Sequence, residues 1–166
     1  MFNFLFNFFT DPVGWNEYVF HRFFILFVSL FFAILFLQSG IDKIISFSGN
    51  LTYFKDHFKK TFFRNQVKFL LVIITFLECL TGVVCFYVVL LTLFKPDGLF
   101  LIIYTWHLVG MLLSLMTLSC LFLGQRIVQD YAGAVNLGIY FLIALIGFSL
   151  PLLYVEILEV LDFTFF

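Results

Sequence analysis

Apolar residues in this chain run on rather than alternate. Four stretches are almost uninterrupted: Phe23–Leu37, Phe69–Phe94, Leu99–Leu123 and Ala134–Val155. Each approaches the roughly 20 residues that carry a helix across a ~30 Å hydrocarbon core at 1.5 Å per residue. The pattern predicts an all-α integral membrane protein, a four-helix antiparallel bundle.

The segment between the first two spans has a different pattern. From Ile44 to Phe69, Leu51, Phe54, Phe58 and Phe62 recur at spacings of three and four, with Lys55, Lys59, Lys60 and Arg64 between them. This spacing predicts an amphipathic interfacial helix, whose simplest role is to lie on anionic lipid and whose sharper role is to cover a lateral entrance to the bundle. Residues 1–21 read as an aromatic segment at the interface. The bundle domain then covers 22–155, and 156–166 form an acidic tail. Met1–Tyr18 contains no Lys or Arg, so a cleavable signal is not expected there.

Composition strengthens the membrane reading: 63% of residues are hydrophobic and only 11% charged, against about 25% charged in soluble domains. A net charge of −1 argues against nucleic acid as a partner. Seven of the nine Lys and Arg lie in the first and third connections (Lys43, Lys55, Lys59, Lys60, Arg64, Lys68 and Arg126), whereas Arg22 and Lys95 lie on the opposite face. The bias predicts both basic connections in the cytoplasm. Cys79, Cys85 and Cys120 have no metal-ligand or dithiol spacing, and no metal site is expected.

An ionisable group inside a bilayer costs at least ~2.5 kcal/mol at mid-span, so each one calls for a reason. Glu78 shares its helix face with Thr75, Gly82 and Cys85, a stripe small enough to turn inward and let backbones approach. There it is expected to act as a hydrogen-bond donor or proton relay. His107 sits above Gly110, Ser114 and Thr117 and is expected to face inward as well. Counting residues from the span ends puts the two ~9 Å apart in depth, a gap for a water or a bound head group. A third group gathers at the basic end: Gln38, Asp42 and Lys43 close span one, and Gln125, Arg126, Gln129 and Asp130 join spans three and four. Arg126 and Asp130, four residues apart, would pair if the helix ran through this junction. The candidate ligand-binding set is therefore Gln38, Asp42, Lys43, Glu78, His107, Gln125, Arg126 and Asp130. No catalytic residue is assigned.

The same positions resemble the DoxX family of small four-helix bacterial membrane proteins. Arg22 matches an arginine opening helix one, Gly40-Ile41-Asp42-Lys43 a Gly-x-x-Lys closing it, and Glu78 with Gly82 a Glu followed by Gly one turn later. Gly124–Ala134 is similar to the third junction of members from the Bacteroidota, and the likeness extends from Arg22 to Pro151. The resemblance implies a subunit of a redox-associated complex in the bacterial inner membrane, with no intrinsic cofactor. A quinone is the first ligand to consider, and a membrane or exported partner would supply any redox centre. Two other classes remain open from the residues themselves. One is a non-catalytic accessory or assembly subunit. The other is a small oligomeric transporter or channel, for which only polar residues at the span edges, such as Asn136, offer a hydrophilic stripe.

Overall fold

The computed structural model describes residues 17–94 and 100–164, with side chains described for 20–94 and 101–153. Five helices follow in order: α1 Glu17–Ile45, α2 Phe47–His57, α3 Val67–Phe94, α4 Phe100–Ile127 and α5 Tyr131–Thr164. Four of them are long and apolar enough to cross a bilayer, and they pack together as the expected bundle. The chain is a multi-pass membrane protein. The outer faces of the bundle are covered with large apolar side chains such as Phe27, Phe76, Leu101 and Leu142, as a hydrocarbon solvent requires.

The boundaries differ from the sequence expectation in three ways. Helix α1 begins at Glu17, so the last part of the segment expected to be an interfacial belt is helical, with the candidate membrane span starting at Phe20; residues 1–16 lie outside the described residues. The acidic C-terminal stretch is helical as far as Thr164, where α5 ends, beyond the candidate membrane span Tyr131–Leu153. The amphipathic helix covers only Phe47–His57, and turns occupy 58–66. About three turns of helix are all this polar stretch retains, since none of its residues is buried and packing, not propensity, stabilises most protein helices.

Helices α1 and α3 form the most extensive contact in the bundle, and two glycines set its closeness. A Cβ on Gly82 would lie 2.8 Å from the Leu37 backbone nitrogen, and one on Gly40 would lie 2.6 Å from Cys79 Sγ. Only hydrogen fits at either place, which is how small residues let membrane helices approach. Phe32, Ala33 and Phe36 of α1 then meet Cys85 of α3, Met111 and Leu118 of α4 and Ala144 of α5 in the main core. Ile25, Val88, Leu91 and Ile103 form a second cluster toward the opposite end.

Helices α4 and α5 are joined by a tight turn. Gln129 adopts a left-handed φ of 64°. The Asp130 amide returns to the Gln125 carbonyl at 2.9 Å and the Gln129 amide to the Arg126 carbonyl at 3.2 Å. This is a Schellman ending for α4. Asp130 in turn caps α5, its Oδ1 accepting from the Gly133 amide at 3.0 Å.

Candidate functional site

Lys43 occupies the last turn of α1, one turn beyond Gly40 on the side facing α3. Because the two backbones nearly touch at Gly40 and Cys79, the lysine side chain reaches back to Glu78. Its Nζ donates to Glu78 Oε1 at 3.0 Å and lies 2.9 Å from Oε2. The Ser39 hydroxyl sits between them. It accepts from Lys43 Nζ at 2.7 Å and donates to Glu78 Oε1 at 3.0 Å. The Glu78 side chain is 1% exposed and that of Lys43 11%, so both charges are held away from solvent by each other. Glu78 is therefore an ion-paired acceptor rather than the unpaired donor expected from its isolation in the sequence. Its lysine came from a residue that sequence reasoning left at the helix end.

A cavity of about 570 Å³ opens beside this pair. It exists because α1 stops at this level while α3 and α5 on either side, and α4 behind, continue toward the basic end. Helix α2, folded back from the end of α1, covers the gap without filling it. Ser39, Lys43 and Glu78 contribute the charged end of the cavity. Leu70, Leu71, Ile74 and Leu77 of α3, with Leu121 of α4 and Leu137 of α5, make its walls apolar. Gln125, His57, Asn136 and Tyr140 add polar atoms elsewhere on the lining. The Gln125 Oε1 atom is buried and has no hydrogen-bond partner among the described residues.

Three of the eight candidate residues thus meet at one cavity: Lys43, Glu78 and Gln125. The other five do not line it. Gln38 and Asp42 are exposed on a different face of α1, roughly 200° around the helix from the Gly40 contact in each case. Arg126 is exposed, its guanidinium 4.7 Å over the Tyr131 ring. It does not pair with Asp130, because α4 ends at Ile127 and the turn commits Asp130 to capping α5. His107 faces inward as expected, fully buried, but in a closed structural network. Its Nε2 donates to the Gly147 carbonyl at 2.9 Å, which leaves Nδ1 to accept from the Ser29 hydroxyl at 2.9 Å. Ser29 and Ser39 are ten residues apart on α1, so the His107 and Glu78 sites are separated by ~15 Å along the helix. The shorter ~9 Å estimate assumed that α3 and α4 are level at their ends, whereas the contact of Thr81 with Thr117 at 3.0 Å staggers the two helices.

Sequence reasoning missed Ser39 as a site residue and the α2 contributors Tyr53 and His57. The Ser39 signal was present in Ser39-x-x-x-Lys43, a hydroxyl one turn before a lysine on the inward face. No local signal told which way α2 would fold.

At the opposite end of α1, Arg22 is buried and its Nη2 donates to the Thr92 carbonyl at 2.9 Å. Thr92 belongs to the last turn of α3, where carbonyls lack helical partners and a cation is favoured. No protein-family model, curated protein or solved structure matches the chain.

Proposed function

We propose that this chain is a DoxX-like membrane subunit that holds a quinone head group between its helices, with its basic end in the cytoplasm and a partner protein supplying the redox centre. The observation that carries the reading is the cavity with a charged end and apolar walls. Its volume falls in the ~300–1,000 Å³ range of small-molecule sites, which are mostly apolar with a few convergent polar groups. Because Lys43 and Glu78 cancel each other, the site suits a neutral head group that exchanges hydrogen bonds, carried on an apolar tail that enters from the bilayer. A quinone has that form. Glu78, Lys43 and Gln125 are the residues assigned to the head group.

The test is mass spectrometry of lipid extracted from the mildly purified native protein, beside a variant that fills the cavity. Gly124 lines the cavity, and a Cβ there meets nothing closer than Phe58 at 3.7 Å. Gly124→Leu therefore projects a side chain into it without a backbone clash. Stoichiometric quinone in the wild type, reduced about tenfold in a folded Gly124→Leu protein, supports the reading. Quinone absent from the wild type, or retained equally by both, refutes it.

A second reading, the non-catalytic accessory subunit, is favoured by the mutual satisfaction of Ser39, Lys43 and Glu78, which need no ligand. Stoichiometric copurification of a larger partner without any lipid-soluble cofactor would select it.

A further inference from the structure

Helix α2 and the turns after it are rich in charge and have little protein around them. The helix has 11 residues and buries none, and it falls below the ~12–15 residues at which even favourable sequences become marginal helices in water. Ser46 at its start makes no side-chain cap, and Gly49 has open space around it. One side, Tyr53, Phe54 and His57, faces the cavity together with Phe58 in the following turn. Around the helix from that side stands Lys55, followed by Lys59, Lys60, Arg64 and Lys68, all exposed. Asp56 is the one acidic residue between Ser46 and Lys68, and Lys59 already engages it at 2.7 Å. The hydrogen bond and the charge of Lys59 hold that carboxyl below the usual aspartate range. Lys55, Lys60, Arg64 and Lys68 have no ion-pair partner among the described residues. Five basic residues against one acid leave this segment at +4 with histidine neutral. Phe62 and Phe69, 77% and 67% exposed, stand among the cations.

We propose that the outer face of α2, with the turns 58–66 and Lys68, docks on anionic phospholipid headgroups of the leaflet at this end of the bundle. The outer face of α3 bears Phe69, Val72 and Phe76, so bilayer lies directly beside the cations. Each Lys or Arg near an anionic surface adds about 1 kcal/mol of attraction, within a screening distance of ~8–10 Å. Exposed aromatics among basic residues match the headgroup layer, where amphipathic rings collect. The lipid surface supplies the hold on α2 that burial does not. This inference concerns the outer face of α2 and stands whether or not the cavity takes a quinone.

The test is amide hydrogen exchange of the full chain in nanodiscs of pure phosphatidylcholine and of phosphatidylcholine with one-third phosphatidylglycerol. Exchange of residues 47–57 should slow about tenfold with the anionic lipid, the equivalent of 1.4 kcal/mol, while α3 and α4 stay unchanged. A triple variant with Lys55→Glu, Lys60→Glu and Arg64→Glu should lose the difference; these side chains are exposed, and unchanged protection of α3 to α5 would verify its fold. Equal exchange of α2 in both lipids would overturn the proposal and leave the basic face to an acidic protein partner. So would the same slowing in the triple variant, because the effect would then not run through these charges.

Discussion

Cutting the Lys43–Glu78 pair from either side should be far more damaging than removing it whole. At 2.9 Å, and with an effective dielectric near 20, the two charges attract by roughly 5–6 kcal/mol. Desolvating both cancels most of that, so the intact pair is worth little compared with an apolar pair of the same volume. A single substitution keeps the desolvation and loses the attraction. In Lys43→Met the Glu78 carboxylate keeps one donor, Ser39, at 1% exposure, and Glu78→Gln leaves the ammonium facing a neutral amide. Each should cost ~3–5 kcal/mol, whereas Lys43→Met with Glu78→Met should return to within ~1–2 kcal/mol of wild type. The coupling energy between the sites would then exceed roughly 3 kcal/mol, outside the range for residues that do not touch. Reversible unfolding in mixed detergent, followed by far-UV circular dichroism, measures all four proteins. Additive single effects would refute the argument, since the two side chains would then not share a site.

Three further outcomes can be checked. Gly82→Ala should destabilise by ~1–3 kcal/mol in the same assay, because the new methyl meets the Leu37 backbone at 2.8 Å and the helices must part to admit it; an unchanged midpoint would mean that α1 and α3 are not in that contact. Gln129→Gly should stabilise by ~0.5–1 kcal/mol, as a left-handed φ costs a side-chain-bearing residue ~1–2 kcal/mol and glycine's greater unfolded freedom returns part of it; a fall in stability would count against the turn. For orientation, an impermeant thiol reagent added outside cells should miss a cysteine at Lys59 and reach one at Asp97, and the opposite labelling would invert the assigned topology.

The membrane fold could be read from run length alone, and the inward face of α3 from Thr75, Glu78, Gly82 and Cys85. The partner of Glu78 could not be read in the same way. Lys43 is at the end of α1, where a lysine ordinarily extends toward water, and only the approach of backbones at Gly40 and Gly82 brings its ammonium back to mid-helix α3. The same contact explains why Gln38 and Asp42 were misjudged. They share a helix face with each other, but that face is turned away from Gly40, and the glycine was the better guide to which side meets α3. Arg126 and Asp130 have the spacing of a helical pair, yet a pair requires a helix, and the left-handed Gln129 ends it between them. The cavity was the least legible feature. It depends on where α1 stops relative to its neighbours and on the direction α2 takes, and neither leaves a mark in local hydropathy.

Arg22 and Lys43 also give α1 a fixed gauge. Their Cα atoms are 21 residues apart, ~32 Å of helix. Both side chains, however, reach inward to partners 14 residues apart on α3, ~21 Å, inside the ~30 Å thickness of a hydrocarbon core. In most membrane helices such terminal cations are free to swing outward and follow the lipid as it thins or thickens. Here the arginine is fastened to the Thr92 carbonyl and the lysine to Glu78, two points on the same neighbouring helix. The distance between the cations is therefore a property of the protein, not of the lipid. In a bilayer a few ångströms thinner or thicker, α1 and α3 must lean together as one strut or oblige the surrounding chains to stretch or compress, at a fraction of a kcal/mol per ångström.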